Sequence, residues 1–361
     1  MIGSTLGRYF SFRFLRMIMA VFLMIFGMVY VIDFVELLRR SDGIPGVSAA
    51  FIAFLALLRV PSASEQLMPF CVLGGAMAAF LDLTRKLELL IARAVGVSVW
   101  GFLIPPVLIA TVIGVASIAL FNPISAMMKH RADGIETRLF GPNGRKAPDA
   151  QFWIRQNSVD GLAIIRAAKV EEDGARLTSV IAYVYDTTGK FEGEILAQSA
   201  KLLPGVWRLE HARVVAPGEE SVEVGTYLLA TNLSSEQVAQ GVIPPESVPF
   251  WELPSLREQA DAAGLDSIGY RLQFQTLLAR PLFFVAMVLI AAAFSLRFFR
   301  FGGVARMVGG GVVAGFVLYV ATKLVSDLGG AGLLSPVVAA WSPAVVASML
   351  GAFALLHQED G

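Results

Sequence analysis

The chain has 361 residues, of which 56% are hydrophobic and 16% charged, and its mean hydropathy is +0.66. This balance excludes an ordinary soluble domain and indicates an integral membrane protein. The 29 basic and 29 acidic residues leave no net charge, so nothing global indicates a nucleic-acid partner.

Residue types that carry catalysis or bind metals are sparse in this chain. The single cysteine, Cys71, lies in an apolar run, and the three histidines are scattered. No phosphate-binding P-loop, zinc-protease motif, nucleophile elbow or dinucleotide fingerprint occurs. We therefore expect no catalytic residue, no metal and no cofactor.

The first predicted span runs from about Phe14 to Leu38, and this run is too long for a signal peptide core. Three arginines lie before it or at its start and favour a cytoplasmic N terminus: Arg8, Arg13 and Arg16. Four charged residues mark its far end: Asp33, Glu36, Arg39 and Arg40. They are either ordinary interface anchors or a ring of charge that faces an anionic headgroup.

The second predicted span runs from about Ala49 to Leu83, which exceeds the roughly 20 residues that a span needs. Pro61 and Pro69 fall inside it, and Glu65 lies between them. We expect either that part of the segment lies along the outer surface or that the helix breaks at Pro61.

A charged, amphipathic stretch at residues 84–97 follows. Its apolar residues recur at helical spacing: Leu87, Leu90, Ile91, Ala94 and Val95. Gly96 can end this helix in a left-handed conformation, and Ser98 can cap the next one. The stretch is either a membrane-surface helix that merely joins two spans, or a docking helix that offers Glu88 to a soluble partner.

The third predicted span, about Val99 to Phe121, leads into the polar run from Asn122 to Gly144. From about residue 141 to 250 the apolar residues alternate or form short runs, and Gly-containing turns separate them. This pattern predicts an all-β domain: an antiparallel sandwich, a jelly roll or an open barrel. Serines in capping-box patterns, Ser234 and Ser255, each predict the start of a short helix.

Three further spans are predicted at about Gln273–Phe294, Val304–Val325 and Pro336–Leu356. The fifth span contains Gly311 and Gly315, whose four-residue spacing lets helices approach closely. Those glycines form either an internal packing face or a seam to another subunit, and we expect the seam.

Basic residues cluster in three short segments that we therefore assign to the cytoplasm: before span one, at 85–93 and at 297–306. The predicted fold is an α-helical polytopic membrane protein with six transmembrane helices, three plus three, and an inserted all-β periplasmic jelly-roll-like domain. The predicted domains are 1–140, with spans one to three and the helix at 84–97; 141–250, the β domain; and 251–361, a connecting helix and spans four to six. Such a chain suits a permease driven by a separate ATPase.

The sequence resembles the LptF/LptG family, the permease subunits of the lipopolysaccharide export transporter. The resemblance spans nearly the whole chain, and four segments carry it: residues 83–98, 34–40, 232–234 and 270–281. The first of these is the most specific. The second and third favour the G-type subunit over its F-type paralogue.

This resemblance implies a heterodimer with an F-type permease on a dimeric cytoplasmic ABC ATPase, joined by a single-span protein with a periplasmic jelly roll. The family extracts lipopolysaccharide from the inner membrane of Gram-negative bacteria and passes it to periplasmic jelly-roll domains for export to the outer membrane. Glu88 matches the family's coupling-helix glutamate, which seats in a groove of the ATPase. Arg85, Arg93 and Gly96 surround it.

The resemblance also implies a lipopolysaccharide-binding set. Arg39 and Arg40 match a basic pair that faces the phosphates of lipid A, and Arg131 falls near a basic position with a similar role. Asp33 departs from the family pattern, in which a lysine is expected. Either a divalent cation bridges it to phosphate, or the lipid A is less phosphorylated, or Asp33 pairs with Arg39 or Arg40.

Two other functions remain open from the sequence. A membrane-anchored β-domain receptor or assembly factor without transport activity would need no ATPase partner. A proton-coupled secondary transporter would need ionisable residues in mid-bilayer. We rank the transporter last, because the charges in this sequence lie mainly near span ends.

Overall fold

The computed structural model describes residues 4–42, 47–96, 98–144, 152–158, 161–171, 175–186, 190–218, 221–233, 244–262, 267–299 and 304–359. They fall into two compact units. The helical unit comprises the described residues of Met1–Ile135, Glu246–Trp251 and Arg271–Gly361. The strand unit comprises those of Glu136–Pro245 and Glu252–Tyr270.

Helices make up most of the described chain. The helices before the strands are α1 (Ser4–Ser41), α2 (Ala49–Arg85), α3 (Glu88–Ala94), α4 (Val99–Ala116), a π turn (Ser117–Phe121) and α5 (Asn122–Gly144). Those after the strands are α6 (Leu253–Ala262), α7 (Ile268–Phe299), α8 (Val304–Gly330) and α9 (Pro336–Glu359). Six helical segments of the described chain are long and apolar enough to cross a membrane, which confirms the predicted spans.

The second span is one unbroken helix, so the predicted break at Pro61 is wrong. α2 has 37 residues and includes both Pro61 and Pro69. Proline is tolerated inside a membrane helix where neighbouring helices pack around it and freed backbone groups find partners. Pro61 is itself buried, and Ser48 caps the helix by accepting a hydrogen bond from the Phe51 amide at 3.2 Å. At about 1.5 Å per residue the helix is about 55 Å long, more than the bilayer core of about 30 Å.

α2 lies at the centre of the helical unit. Its buried residues pack with aromatic residues of α1, and the Phe14 and Phe80 rings meet edge to face at 4.8 Å. The helices also touch through a glycine, because a Cβ added at Gly75 would lie 2.5 Å from the Ile18 Cα atom. α4 and α7 meet in the same way at Gly114 and Pro281. Small residues therefore set the close contacts between spans.

The paired glycines of α8 pack inside the chain. Gly311 and Gly315 are buried, and a Cβ added at Gly315 would lie 2.8 Å from the Leu73 side chain of α2. Gly311 faces Met77, which also lies on α2. The expectation that this pair lies at a subunit seam is therefore wrong, and the internal alternative holds.

The strand unit contains one six-stranded antiparallel sheet whose described strands follow in sequence order. They are β1 (Phe152–Ser158), β2 (Gly161–Glu171), β3 (Arg176–Tyr185), β4 (Phe191–Leu203), β5 (Val206–Val215) and β6 (Val222–Ala230). Trp207 and Leu177 lie in the core on one face. The buried Gln156 side chain of β1 donates to the Ala230 carbonyl at 3.0 Å, so the sheet curls until its two edge strands meet at one end. This confirms an inserted β domain.

The short helices around the sheet are less well predicted. α6 begins at Leu253, two residues before the predicted cap Ser255, so that serine lies inside the helix. The helix predicted to start at Ser234 falls on residues 234–243, which lie outside the described residues.

We predict that Gly75→Ala destabilises the helical unit, because the new methyl group meets α1 backbone that cannot rotate away. Overpacking of this kind costs about 1–3 kcal/mol, and thermal unfolding in detergent measures it. Gly74→Ala is the matched control, since its Cβ would lie 3.6 Å from the Val21 side chain, an ordinary contact. Equal unfolding temperatures for the two variants would contradict the tight α1–α2 contact.

Candidate functional site

The predicted docking helix is shorter than residues 84–97. α3 starts only at Glu88, because the chain first turns at Lys86 and Leu87. Leu87 has φ of +61°, a left-handed conformation that costs a residue with a side chain about 1–2 kcal/mol. This turn sets the direction in which α3 leaves α2.

The two caps predicted for this segment are present. Gly96 has φ of +89°, the left-handed region that glycine adopts without strain. The Ser98 hydroxyl accepts a hydrogen bond from the Gly101 amide at 3.1 Å and so caps α4. Arg85 is exposed, whereas the Arg93 side chain lies outside the described part of the structure.

The apolar stripe formed by α3 and by Val95, the residue directly after it, faces outward. Leu90, Ile91 and Val95 are 55%, 60% and 79% exposed, whereas Leu89 is only 6% exposed and packs into the core of the helical unit. Leu89 thus anchors α3, whereas Leu90, Ile91 and Val95 are largely uncovered by the described chain.

The Glu88 carboxylate lies against the start of α1. Its Oε1 atom accepts a hydrogen bond from the Tyr9 hydroxyl at 3.2 Å and lies 4.0 Å from Nη1 of Arg13. Arg13 in turn donates to the Tyr9 hydroxyl at 2.5 Å and forms an ion pair with Asp82 of α2. We refer to Tyr9, Arg13, Asp82 and Glu88 as the Glu88 junction.

At the far end of α1, acidic and basic residues are already paired within the chain. Asp33 forms an ion pair at 3.4 Å with Arg59 of α2, a partner that the sequence analysis did not consider. Arg40 pairs with Glu36 one turn earlier on α1. Arg39 is exposed, and no ion pair involves it among the residues that the structure describes.

Arg131 lies on α5 and is exposed, two residues beyond Lys129. Lys129 forms an ion pair at 3.2 Å with Glu246. The four residues predicted to bind lipopolysaccharide thus lie on two helices, three of them on α1, and Asp33 forms its ion pair with Arg59 rather than with Arg39 or Arg40.

A buried polar cluster joins three spans, and it was not among the features predicted from the sequence. Glu65 of α2 and Arg280 of α7 form an ion pair at 2.5 Å, with side chains 8% and 14% exposed. Asn122 donates to Oε1 of Glu65 at 2.9 Å, and Ser125 donates to Oε2 at 2.7 Å. Both carboxylate oxygens therefore have hydrogen-bond partners in the low-dielectric interior.

The π turn between α4 and α5 belongs to this cluster. A π turn holds one more residue than an α turn and so changes the face on which the following residues lie. Ser117, its first residue, accepts a hydrogen bond from Arg280 at 3.0 Å. Asn122, directly after it, turns to Glu65 and also accepts a hydrogen bond from the Phe250 amide at 2.8 Å.

A cavity of about 340 Å³ opens beside the cluster, between α2, α7, α8 and α9. Its polar lining residues include Ser62, Glu65, Gln66, Gln273, Thr276, Arg280, Thr322, Lys323 and Ser326. Phe70, Phe283 and Met287 contribute apolar surface. The cavity is thus amphipathic, and the ion pair forms part of its wall.

One sequence signal could have revealed the cluster. Glu65 and Arg280 each interrupt the apolar run of a different span, and ionisable residues inside membrane helices almost always have partners. Most other charged residues of the spans lie near the span ends, so the charge pattern favoured sites at those ends instead. The contribution of Asn122 depends on the π turn, which no pattern predicted.

One comparison with known proteins identifies a family. The family model described as lipopolysaccharide export system permease LptF/LptG matches residues 8–357 of the chain. No curated protein matches the chain in sequence.

We predict that Glu65→Gln and Arg280→Gln each destabilise the helical unit by about 3–5 kcal/mol, because either change leaves one buried charge without a counter-ion. The double variant should recover much of this loss, since two amides can hydrogen-bond to each other. Unfolding in detergent measures all three. Lys323→Gln is the control, because its ion pair with Asp327 is exposed and costs at most about 1 kcal/mol. A double variant no more stable than the singles would contradict the pairing.

Proposed function

The chain belongs to the LptF/LptG family of lipopolysaccharide export permeases, and we propose that it is a G-type subunit driven by a separate cytoplasmic ATPase. As a member of this family it is a multi-pass protein of the inner membrane that works within the Lpt ABC transporter, and it is a transport component rather than a catalytic enzyme. Residues 34–40 and 232–234 support the G-type assignment.

The outward apolar face of α3 carries the proposal of ATPase coupling. Leu90, Ile91 and Val95 are exposed beside the partly exposed Glu88 carboxylate. An apolar patch with a charged residue at its edge is the kind of surface that a protein groove recognises. We propose that the occupant is the cytoplasmic ABC ATPase and that Arg85, Arg93 and Gly96 flank the contact.

Charge distribution supports the orientation that this coupling requires. Arg85, Lys86 and Arg93 lie in or beside α3, and basic residues also cluster before α1 and around residues 297–306. Basic loops stay on the cytoplasmic side. We therefore propose that both termini and α3 are cytoplasmic and that the strand unit is periplasmic.

Exposed apolar faces on two spans support a second permease. The described cavity of about 340 Å³ is the size of a site for one small molecule. We propose that an F-type paralogue completes the lipid-binding space and that a single-span protein with a periplasmic jelly roll receives the lipid. The apolar faces of α1 and α8, which are largely exposed in this chain, are available for the paralogue.

We also propose that the far end of α1 holds the lipid A headgroup. Arg39 is exposed, and Arg40 stands next to it with its charge partly offset by Glu36. Asp33 is paired with Arg59, so it need not repel a phosphate group. Arg131 supplies a further exposed guanidinium. Arginine is suited to phosphate because its planar guanidinium can donate two parallel hydrogen bonds.

We predict that Glu88→Arg abolishes recovery of the ATPase when the permease complex is purified, or uncouples ATP turnover from lipopolysaccharide release. The reversed charge would repel a site that accepts a carboxylate. Recovery and ATP turnover in lipid nanodiscs are the measurements. Glu258→Arg, the same change at an exposed position of α6, is the control and should leave both unchanged.

The contrary result is equally informative. If wild type and Glu88→Arg both purify without any ATPase, coupling by α3 is wrong, and a β-domain receptor or assembly factor becomes the better account.

We predict opposite effects for two neutralising changes at the far end of α1. Arg39→Gln should lower the lipopolysaccharide that co-purifies with the complex several-fold, because a charge-assisted contact to phosphate is lost. Glu36→Gln should raise it, because Arg40 is then released from its intrachain ion pair. Both effects should shrink in high salt. Equal lipid recovery in wild type and both variants would contradict headgroup binding at this end.

A further inference from the structure

We propose that Arg13 is a positioning residue for ATPase coupling, which holds the Glu88 carboxylate through Tyr9 and so links span α1 to the docking helix. This inference rests on the proposed function, because it specifies how Glu88 is presented to the ATPase.

The contacts run in an unbroken series. Arg13 Nη1 donates to the Tyr9 hydroxyl at 2.5 Å, and that hydroxyl donates to Glu88 Oε1 at 3.2 Å. Nη1 of Arg13 also lies 4.0 Å from the same carboxylate oxygen, and its guanidinium carbon is 5.7 Å from the centre of the Tyr9 ring. Tyr9 and Arg13 are four residues apart on α1, so they share one face of the helix.

Arg13 is itself held in place. Its second terminal nitrogen, Nη2, pairs with Asp82 near the end of α2, and the Arg13 side chain is only 16% exposed. Lys86 lies 3.5 Å from the other oxygen of Asp82. Asp82 therefore joins the end of α2 to the start of α1, and Arg13 stands between two carboxylates that belong to different helices.

α3 needs such a tether. A seven-residue helix is too short to be stable alone, so tertiary contacts set its orientation. Leu89 provides one contact by packing into the core, and the adjacent Glu88 provides the second through Tyr9 and Arg13. Two contacts on neighbouring residues, about 100° apart around the helix axis, fix how the helix is rotated. That rotation decides where Leu90, Ile91 and Val95 face.

The tether also connects α3 with the opposite end of α1. α1 is one continuous helix, and Arg13 and Arg39 are separated along it by about 39 Å, at 1.5 Å per residue. The proposed headgroup site and the Glu88 junction thus lie on the same continuous helix.

A double-mutant cycle tests this role. The affinity of purified cognate ATPase for the permease complex in nanodiscs is measured for wild type, Arg13→Gln, Glu88→Gln and the double variant. We expect Arg13→Gln to weaken binding about 3- to 10-fold, the cost of freeing one side chain before it binds. In the Glu88→Gln background the same change should have no further effect, because there is no carboxylate left to position.

Three further variants separate positioning from folding. Tyr9→Phe keeps the Arg13–Asp82 ion pair and removes only the hydroxyl, so it should weaken binding in the same Glu88-dependent way even if Arg13→Gln fails to fold. Arg13→Lys should restore part of the affinity, because the ammonium group keeps the charge. Arg16→Gln, an exposed arginine of α1 outside the Glu88 junction, is the control and should bind like wild type.

The outcomes are distinct. The losses of affinity caused by Arg13→Gln and Tyr9→Phe could instead add to the loss caused by Glu88→Gln. Additive losses would show that Arg13 and Tyr9 act independently of the carboxylate. The inference would then be overturned, while the proposed function would stand. A wild-type complex that binds no ATPase would overturn the proposed function itself.

Discussion

The helical unit depends on a constraint that lipid imposes: Glu65 and Arg280 cannot face hydrocarbon as separate charges. The hydrophobic effect does not select partners among spans in a bilayer, because lipid tails are as apolar as leucine. A buried ion pair does select its partner span, because burying either charge without the other costs several kcal/mol. The pair joins α2 to α7, and Asn122 and Ser125 bring α5 to the same point.

Close packing at glycine adds a second kind of selectivity. Gly75 brings α1 onto α2, Gly114 brings α4 onto α7, and Gly315 brings α8 onto α2. These contacts tolerate no larger residue without a shift of backbone or a buried side chain. Together with the polar cluster they fix which spans are neighbours. The remaining apolar surface of α1 and α8 costs nothing in contact with lipid, so its exposure is compatible with both lipid and a second permease.

Sequence predicted this architecture well where the signal was local. Six apolar runs gave six helices, alternating residues gave an antiparallel sheet, and Gly96 and Ser98 gave the two caps around α3. Prediction failed where packing between residues far apart in the chain determined the local structure. Pro61 is accommodated because α2 is surrounded by other helices, Asp33 pairs with Arg59 from another span, and α3 is shortened by the left-handed turn at Leu87. Period and spacing do not encode which residues meet across spans.

The chemistry of lipid extraction explains why such a chain combines rigid spans with a fused sheet. Exposing acyl chains to water costs about 0.8 kcal/mol per CH₂ group, so several chains together cost tens of kcal/mol. A transporter avoids this only if the chains remain covered from the bilayer to the acceptor. The Glu65–Arg280 pair selects which spans are neighbours, and a sheet with its own apolar core belongs to the same polypeptide. α1 packs closely on α2 at Gly75 and Phe80, yet its most apolar window is almost entirely exposed. Because α1 also carries Arg13, a span that exposes a large apolar surface is the one connected to Glu88.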